Sequence, residues 1–442
     1  HGPFECMYTR TTGIWQTVWM EAVAPSGIKR VKISTDIDRS VVAMEFTMRR
    51  NASGDMLTIN VKDNGKVVAS DCGPVASGSV VMLPIKKAKL WSPESPFLYD
   101  VEFILKDAEG NVVDKVASYF GMRKIHTEGN KVYLNNEPYF QRLVLDQGFY
   151  PDGIWTAPSD AALKQDIELS LQAGFNGARL HQKVFEERFY YWADKLGYLT
   201  WGEAPSWGLD ANAVEAARNF ITEWRNLVVR DINHPSIVTW TPFNEEFWPD
   251  QTQFPRFVND VYTLTKQLDP SRPVNTVSGG IQILTDIWTE HHYEQDPARL
   301  KEIIYDGGKM FVRGPSIQER HRGNVGFNRP VLSDPFTFPR YDGSIPYILD
   351  EFGGIKCMEA NPSKDGAWGY GSAPQTKEEF YQRLEGQVRG LMSLNKNMWG
   401  WCYTQLTDVE QEQNGIYYYD RKVKYDMERI RKIFQMEIPT EE

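Results

Sequence analysis

The spacing of apolar and polar positions changes its period partway along the chain. Between about Pro25 and Ile125 it runs in twos: Val31, Ile33, Thr35 and Ile37 in one segment, Tyr99, Val101, Phe103 and Leu105 in another. Such alternation sends side chains to two faces of a strand, one buried and one wet. Turn-forming clusters separate the runs, at Ala52-Ser53-Gly54-Asp55, Asp63-Asn64-Gly65 and Glu109-Gly110-Asn111. Short strands at this spacing over about 100 residues predict an all-β immunoglobulin-like sandwich. From about Glu128 short apolar runs alternate with helical ones, which predicts a parallel sheet. Ser159 is the N-cap of the first helix, Leu163, Ile167 and Leu171 share one face, and Gly174 stops it. Strands are expected at Phe175–His181, Tyr198–Glu203, from Ile237, and at Val274–Ser278, Ile287–His291, Pro346–Glu351 and Met398–Thr404, with a helix carrying Arg429, Arg431 and Lys432 closing the ring. That series suits one (β/α)8 TIM barrel with insertions. Between Gln295 and Pro346 periodicity is poor and Gly, Pro, Arg and Asn are frequent, so this stretch reads as a long loop over the barrel mouth. Residues 1–23 read as one or two strands ending a domain whose body is missing, because lone strands are not stable. The expected domains are therefore 1–23, a sandwich at 24–126 and a barrel at 127–442.

Bulk properties narrow the picture. A chain of 442 residues, 41% hydrophobic and 13% aromatic, can build a sandwich core and a barrel core. Its net charge of −10, from 49 basic and 59 acidic residues, with no Lys/Arg run, argues against nucleic acid as a partner. No apolar run is long enough to span a membrane. Cys6, Cys72, Cys357 and Cys402 match no zinc spacing and are too dispersed for a disulfide framework, so free and mostly buried thiols are expected. No signal peptide is visible, and His1-Gly2-Pro3 leads straight into strand-like sequence, which leaves the compartment open, as it leaves open a homo-oligomer.

The candidate chemistry lies at strand ends. In His234–Glu246, an apolar run through Ile237, Val238 and Trp240 finishes on Asn244-Glu245, with Trp248 and Pro249 breaking the pattern. Polar groups at the C-terminal ends of barrel strands are where such barrels keep their chemistry. Glu351 closes the seventh strand in the same way. Fourth and seventh strand ends face each other across the mouth, so two carboxylates can converge to about 5–5.5 Å, as a retaining glycosidase requires. One must hold a proton for the leaving oxygen, and the other must be ionised to attack the anomeric carbon; mutual repulsion separates their pKa values. Glu245 is expected to be the acid/base and Glu351 the nucleophile, with Asn244 bonded to the sugar 2-hydroxyl.

Several ordered segments carry a family resemblance. Asn233–Val238 with Phe243-Asn244-Glu245-Glu246 resembles the acid/base segment of glycoside hydrolase family 2, which includes β-galactosidases, β-glucuronidases and β-mannosidases, and Leu349-Asp350-Glu351-Phe352-Gly353 resembles its nucleophile segment. Tyr8–Glu21 resembles the end of the family's sugar-binding jelly roll, Leu90–Glu94 and Tyr119–Arg123 the closing strands of its immunoglobulin-like domain, and Leu134–Phe140 the opening strand of its barrel. The resemblance implies a retaining exo-β-glycosidase acting on a carbohydrate, most like a β-galactosidase, in which Arg179 orients the nucleophile and His181 touches sugar hydroxyls. It also implies site roles for His291 and Tyr293 beside the nucleophile, and for Glu203 and Asp146 with Gln147 as hydroxyl ligands. Departures change the expectation. Ala204-Pro205-Ser206-Trp207-Gly208 follows Glu203 where metal-dependent relatives carry Glu-x-His, so no metal or other cofactor is expected. Thr404-Gln405 stands where relatives often show a stacking Trp, which leaves Trp399 or Trp401 for that role. The Asn-x-Lys of β-glucuronidases is not evident near Asn414-Gly415-Ile416, which lowers a uronide reading unless Arg142, Arg313 or Arg340 supplies the cation.

Overall fold

A computed structural model describes residues 5–246, 253–312, 341–357 and 366–437. Seven antiparallel strands form the sandwich. One sheet joins Ile28–Asp36, Val41–Met48 and Val80–Pro84; the other runs Lys66–Pro74, Met56–Asp63, Tyr99–Lys106 and Val112–Phe120. The period of two is kept where the strand is central: Tyr99, Val101, Phe103 and Leu105 are all buried and pack with Val42, Met44, Phe46, Leu57 and Ile59. At the edge strand only Ile28 and Ile33 are fully buried, because an edge has a neighbour on one side alone.

The barrel strands are Gln141–Asp146, Gly177–Leu180, Leu199–Glu203, Ile237–Thr241, Val277–Ser278, Trp288–His292, Tyr347–Gly353 and Gly400–Thr404. Seven of them form one parallel sheet in the order fourth, third, second, first, eighth, seventh, sixth. The short fifth strand closes the ring. On one side Trp240 N–H donates to Pro273 O at 3.2 Å and Asn275 N–H to Trp240 O at 3.0 Å. On the other the Asn275 amide donates to Ile287 O at 3.1 Å and to Thr289 Oγ1 at 3.0 Å. The first helix, Asp160–Ala173, begins where Ser159 Oγ accepts from Ala162 N–H and ends at Gly174, whose φ of +103° favours glycine. The last helix, Met427–Phe434, sets Phe434 against Phe175 and Trp401.

Inside the ring, Leu143, Leu145, Leu199, Trp201, Val238, Ile348 and Cys402 form a dry core. It is closed at one end by Ile125, Val132 and Leu134 of the hairpin Ile125–Glu128/Lys131–Leu134. Here the structure corrects the sequence reading. Leu134–Phe140 is not the opening strand; Asn135 and Asn136 take positive φ (54° and 68°) in a turn of this plug, and the strand starts at Gln141. Residues 5–27 contain no strand; the segment lies on the barrel, with Trp15 packed on Trp155 at 4.8 Å and Gln16 Nε2 bonded to Val184 O at 2.9 Å. Part of the expected long loop is ordered as the helix Pro297–Ile304, capped by Asp296 and opened by proline, followed by the small hairpin Tyr305–Asp306/Lys309–Met310. Residues 313–340 lie outside the described residues. Cys357 and Cys402 are buried but Cys72 is exposed, and all four thiols are free. No described helix is long and apolar enough to cross a membrane.

Candidate active site

Local irregularities of the strands aim the site residues. Along the seventh strand Ile348 points into the barrel and Leu349 towards the helices. Strict alternation would turn either Asp350 or Glu351 outward. Instead Leu349 pairs with Glu290 and Glu351 with His291, and on the other side Leu349 pairs with Trp401 and Phe352 with Tyr403. Asp350 is thus an extra residue against both neighbours, a bulge that lets two consecutive carboxylates face inward. After the fourth strand Glu245 takes φ +50°, which brings its side chain back over the mouth next to Asn244.

Arg179, fully buried on the second strand, is the hub. Its Nε donates to Glu203 Oε2 at 2.9 Å and its Nη1 to Asp350 O at 3.0 Å. Its Nη2 donates to Asn244 Oδ1 at 2.6 Å and His181 Nδ1 at 2.7 Å, and lies 3.0 Å from Glu351 Oε1. Burial works against a guanidinium, but Glu203, Glu351 and Asp350 outweigh it and hold its pKa above the ordinary value. Burial likewise opposes the charge on Glu203, and Arg179 with His181 overcomes it, so that carboxyl titrates below its usual range. Glu203 Oε1 also accepts from Gln182 N–H at 2.9 Å, so this residue acts as a brace.

His291 Nδ1 lies 2.7 Å from Glu245 Oε1 and 3.3 Å from Glu351 Oε2; its Nε2 lies 3.2 Å from Asp350 Oδ1. Burial lowers its basicity, yet Glu351, Asp350 and the bond to Glu245 lift its pKa to about 10, so it is an imidazolium at neutral pH. The Tyr293 hydroxyl donates to Glu351 Oε2 and lies 3.0 Å from Thr404 Oγ1. One oxygen each of Glu245 and Glu351 and a nitrogen of His291 all lie within 4.8 Å of one another. No other described trio is spaced to hold a metal ion. Asn244 is fully buried, and its Nδ2 has no hydrogen-bond partner.

Two expected site residues are not brought here. Asp146 is buried beside Asp166, Arg421 and Lys183, and burial with Asp166 lifts its pKa to about 7. It shares the outward phase of Val144, whereas Leu143 and Leu145 point inward. Trp399 precedes the eighth strand and lies with Lys131 of the plug hairpin at the closed end of the barrel. At about 3.3 Å per residue, the five residues to Thr404 put it roughly 17 Å from the mouth. Trp401 is also no stacking platform, being packed outward on Phe175, Phe352 and Phe434. Arg142 pairs in register with Trp401 near the closed end, so it supplies no cation to the mouth. Arg313, Arg340, Trp248 and Pro249 lie outside the described residues.

The sequence reading missed Asp350, Ser278, Trp207 and Tyr370. Ser278 Oγ donates to Asp350 Oδ2 at 2.6 Å, Trp207 Nε1 donates to Asn244 O at 3.1 Å, and Tyr370 stacks on Tyr293 at 3.5 Å. Only Asp350, adjacent to Glu351, left a signal in the sequence. A separate apolar groove between residues 13–16 and the helix Val214–Asp231 contains none of these side chains.

The chain is thus an antiparallel sandwich followed by a (β/α)8 barrel that gathers two glutamates, an arginine and a histidine at its mouth, where such barrels carry their active sites. Two family profiles match: "Glycosyl hydrolases family 2" over residues 27–123 and "Glycosyl hydrolases family 2, TIM barrel domain" over residues 157–318, together more than half of the chain. The chain belongs to glycosyl hydrolases family 2. It is 31% identical over 206 residues to a beta-galactosidase of Photobacterium profundum, a match covering 45% of this chain and 19% of that one. A putative beta-glucuronidase of Formosa agariphila is 28% identical over 59% of this chain and 33% of its own. A Lactococcus lactis beta-galactosidase is 26% identical over 73% of this chain and 32% of its own. The chain thus spans about a fifth to a third of the length of these relatives. Among solved structures, a beta-D-glucuronidase of Dictyoglomus thermophilum superposes with a TM-score of 0.71 at 19% identity, covering 94% of this chain and 69% of that one. A family 2 beta-galacturonidase of Eisenbergiella tayi, bound to galacturonate, gives 0.70 at 19% identity over 93% and 73%. At these identities the structural likeness concerns the fold.

Proposed function

We propose that the chain is the catalytic portion of a retaining exo-β-glycosidase that removes terminal sugars, β-galactosides foremost. The observation that carries this reading is the approach of Glu245 and Glu351, an oxygen of each lying within 4.8 Å of the other over one barrel mouth. Such a close approach fits the double-displacement route, in which a sugar carbon sits between two carboxylates with no water inserted.

Glu351, oriented by Arg179 and Tyr293, attacks the anomeric carbon and forms a glycosyl ester. Glu245 gives its proton to the departing oxygen, then takes one from the water that cleaves the ester and restores both groups. The free Nδ2 of Asn244 is a donor for the sugar 2-hydroxyl, a bond that strengthens as positive charge develops on the ring. Fixed carboxylates around an imidazolium stabilise that charge with little reorganisation.

Azide separates the two roles. Glu351→Ala should lose about 10⁴-fold or more of its 4-nitrophenyl β-galactoside hydrolysis and, with azide, yield the α-glycosyl azide. Glu245→Ala with azide should yield the β-azide, because azide then replaces water on the ester. Wild-type hydrolysis that releases the α-anomer first would overturn the retaining assignment.

A further inference from the structure

A second carboxylate cluster borders the paired glutamates and has no role in the steps above. Glu412, on the loop after the eighth strand, is 2% exposed. Its Oε1 accepts from Asn414 Nδ2 at 2.9 Å, and its Oε2 accepts the Tyr8 hydroxyl. Tyr8 comes from the segment that precedes the sandwich, more than 400 positions away, and its ring meets Phe149 edge-on at 4.9 Å. Three further bonds hold this segment to the same loop: Thr9 N–H to Glu410 at 2.9 Å, and Gln411 Nε2 to the carbonyls of Glu5 and Met7 at 2.6 and 3.3 Å.

An unbroken run of contacts leads from Glu412 to Glu351. Trp368 exchanges backbone hydrogen bonds with Gln411 and Gln413 at 2.9 and 2.8 Å. Its ring packs edge-on to Tyr370 at 5.4 Å, Tyr370 stacks on Tyr293, and Tyr293 donates to Glu351. Burial, with Glu351 and Asp408 adding to it, lifts the Glu412 carboxyl to about 7 against the bonds from Tyr8 and Asn414.

We propose that Tyr8 and Glu412 form a sugar-recognition wall beside the paired glutamates, one that hydrogen-bonds the hydroxyls of an uncharged glycoside and repels the carboxylate of a uronide. The inference rests on the glycosidase reading and narrows its substrate class. The nearby described cations are already committed: Arg179 to Glu203, Glu351 and Asp350, His291 to three carboxylates, and Lys424 to Asp408 and Gly415 O. Above about pH 7, where Glu412 is ionised, a uronide would bring a further negative charge beside Glu412 and Glu351. Like charges so placed discriminate by about 100-fold or more.

The test compares 4-nitrophenyl β-D-galactoside with the β-D-galacturonide, which differ only in oxidation at C6. At pH 8, above the pKa of Glu412, wild type should favour the galactoside in kcat/KM by about 100-fold or more. Glu412→Gln, which keeps shape and removes charge, should cut that ratio about 10-fold, with KM for the galactoside rising and kcat/KM for the uronide increasing. A merely structural role would lower both substrates together and leave the ratio where it was, and that result would overturn the proposal. Tyr8→Phe removes one hydroxyl without opening a cavity; it should raise the galactoside KM several-fold at nearly constant kcat, and an unchanged KM counts against the wall even if Glu412→Gln does not fold. Should wild type hydrolyse neither compound, the glycosidase reading fails. Calorimetric binding of galactose against galacturonate to wild type and Tyr8→Phe then decides the wall: preference for galactose that Tyr8→Phe weakens supports it, and preference for galacturonate, or no binding of either, refutes it.

Discussion

Two cations make four carboxylates tolerable in one largely buried space. Arg179 and His291 lie among Glu203, Glu245, Asp350 and Glu351, and each charge is bearable only because the others are present. Arg179→Met should therefore cost about 3–5 kcal/mol of stability, read from urea unfolding, besides abolishing hydrolysis. His291 gives a pH signature. Its folded-state pKa of about 10 lies above the ordinary 6.5, so its stabilisation is complete below about pH 6.5 and is lost as pH rises towards 10. The unfolding midpoint of wild type should fall between pH 7 and 10, and His291→Gln should flatten that slope; a variant with the same slope would show that other groups set it. At this scale residue type and strand-end position were legible for Glu245, Glu351, Arg179, His181, His291 and Tyr293. Direction was not, which is why Asp146 and Trp399 were misjudged: one points outward and the other sits at the wrong end of its strand.

Among the elements, a bulge and a plug separate function from stability. The bulge at Asp350 exists because two carboxylates must face one way on a strand whose other residues alternate. Gly279, after the fifth strand, has φ +57°, and a Cβ there would lie 2.3 Å from the His291 ring. Gly279→Ala should cost about 2 kcal/mol or more and displace His291, lowering kcat along with the unfolding midpoint. The plug hairpin lies at the opposite end. Leu134→Ala should cost about 2–5 kcal/mol through the cavity it leaves, while kcat/KM at 25 °C changes little. A large loss of activity in that variant would mean that the two ends of the barrel are coupled. The strand expected at Leu134–Phe140 rested on family resemblance; the local sequence, with Asn135, Asn136 and Pro138, disfavours a strand, and the asparagines, able to take positive φ, signal the turn.

Across the whole molecule, the sandwich is tied to the closed end of the barrel and residues 5–16 to the rim near its mouth. Asn233, just before the fourth barrel strand, accepts from Ile33 N–H and donates to Val31 O, both at 2.8 Å, so a barrel side chain completes a sandwich edge. Arg123, at the end of the sandwich, donates to Pro235 O at 2.9 Å and Ile237 O at 2.6 Å. Asn233→Ala leaves an unpaired donor and acceptor and should cost about 1–3 kcal/mol. If sandwich and barrel depend on each other, calorimetry should still show a single transition at lower temperature; two separated transitions would show that this contact joins independent units.

By itself the sequence determined the order of sandwich and barrel and the identity of the paired glutamates, because period, caps and strand-end chemistry are local and each is written within about ten residues of chain. Only the tertiary structure decided which side chains meet. The bulge that turns Asp350 inward is defined by two neighbouring strands, the charge on His291 by three carboxylates from two other strand ends, and the Tyr8–Glu412 contact by opposite ends of the chain. Those interactions depend on distance in space, and no pattern along one segment encodes it.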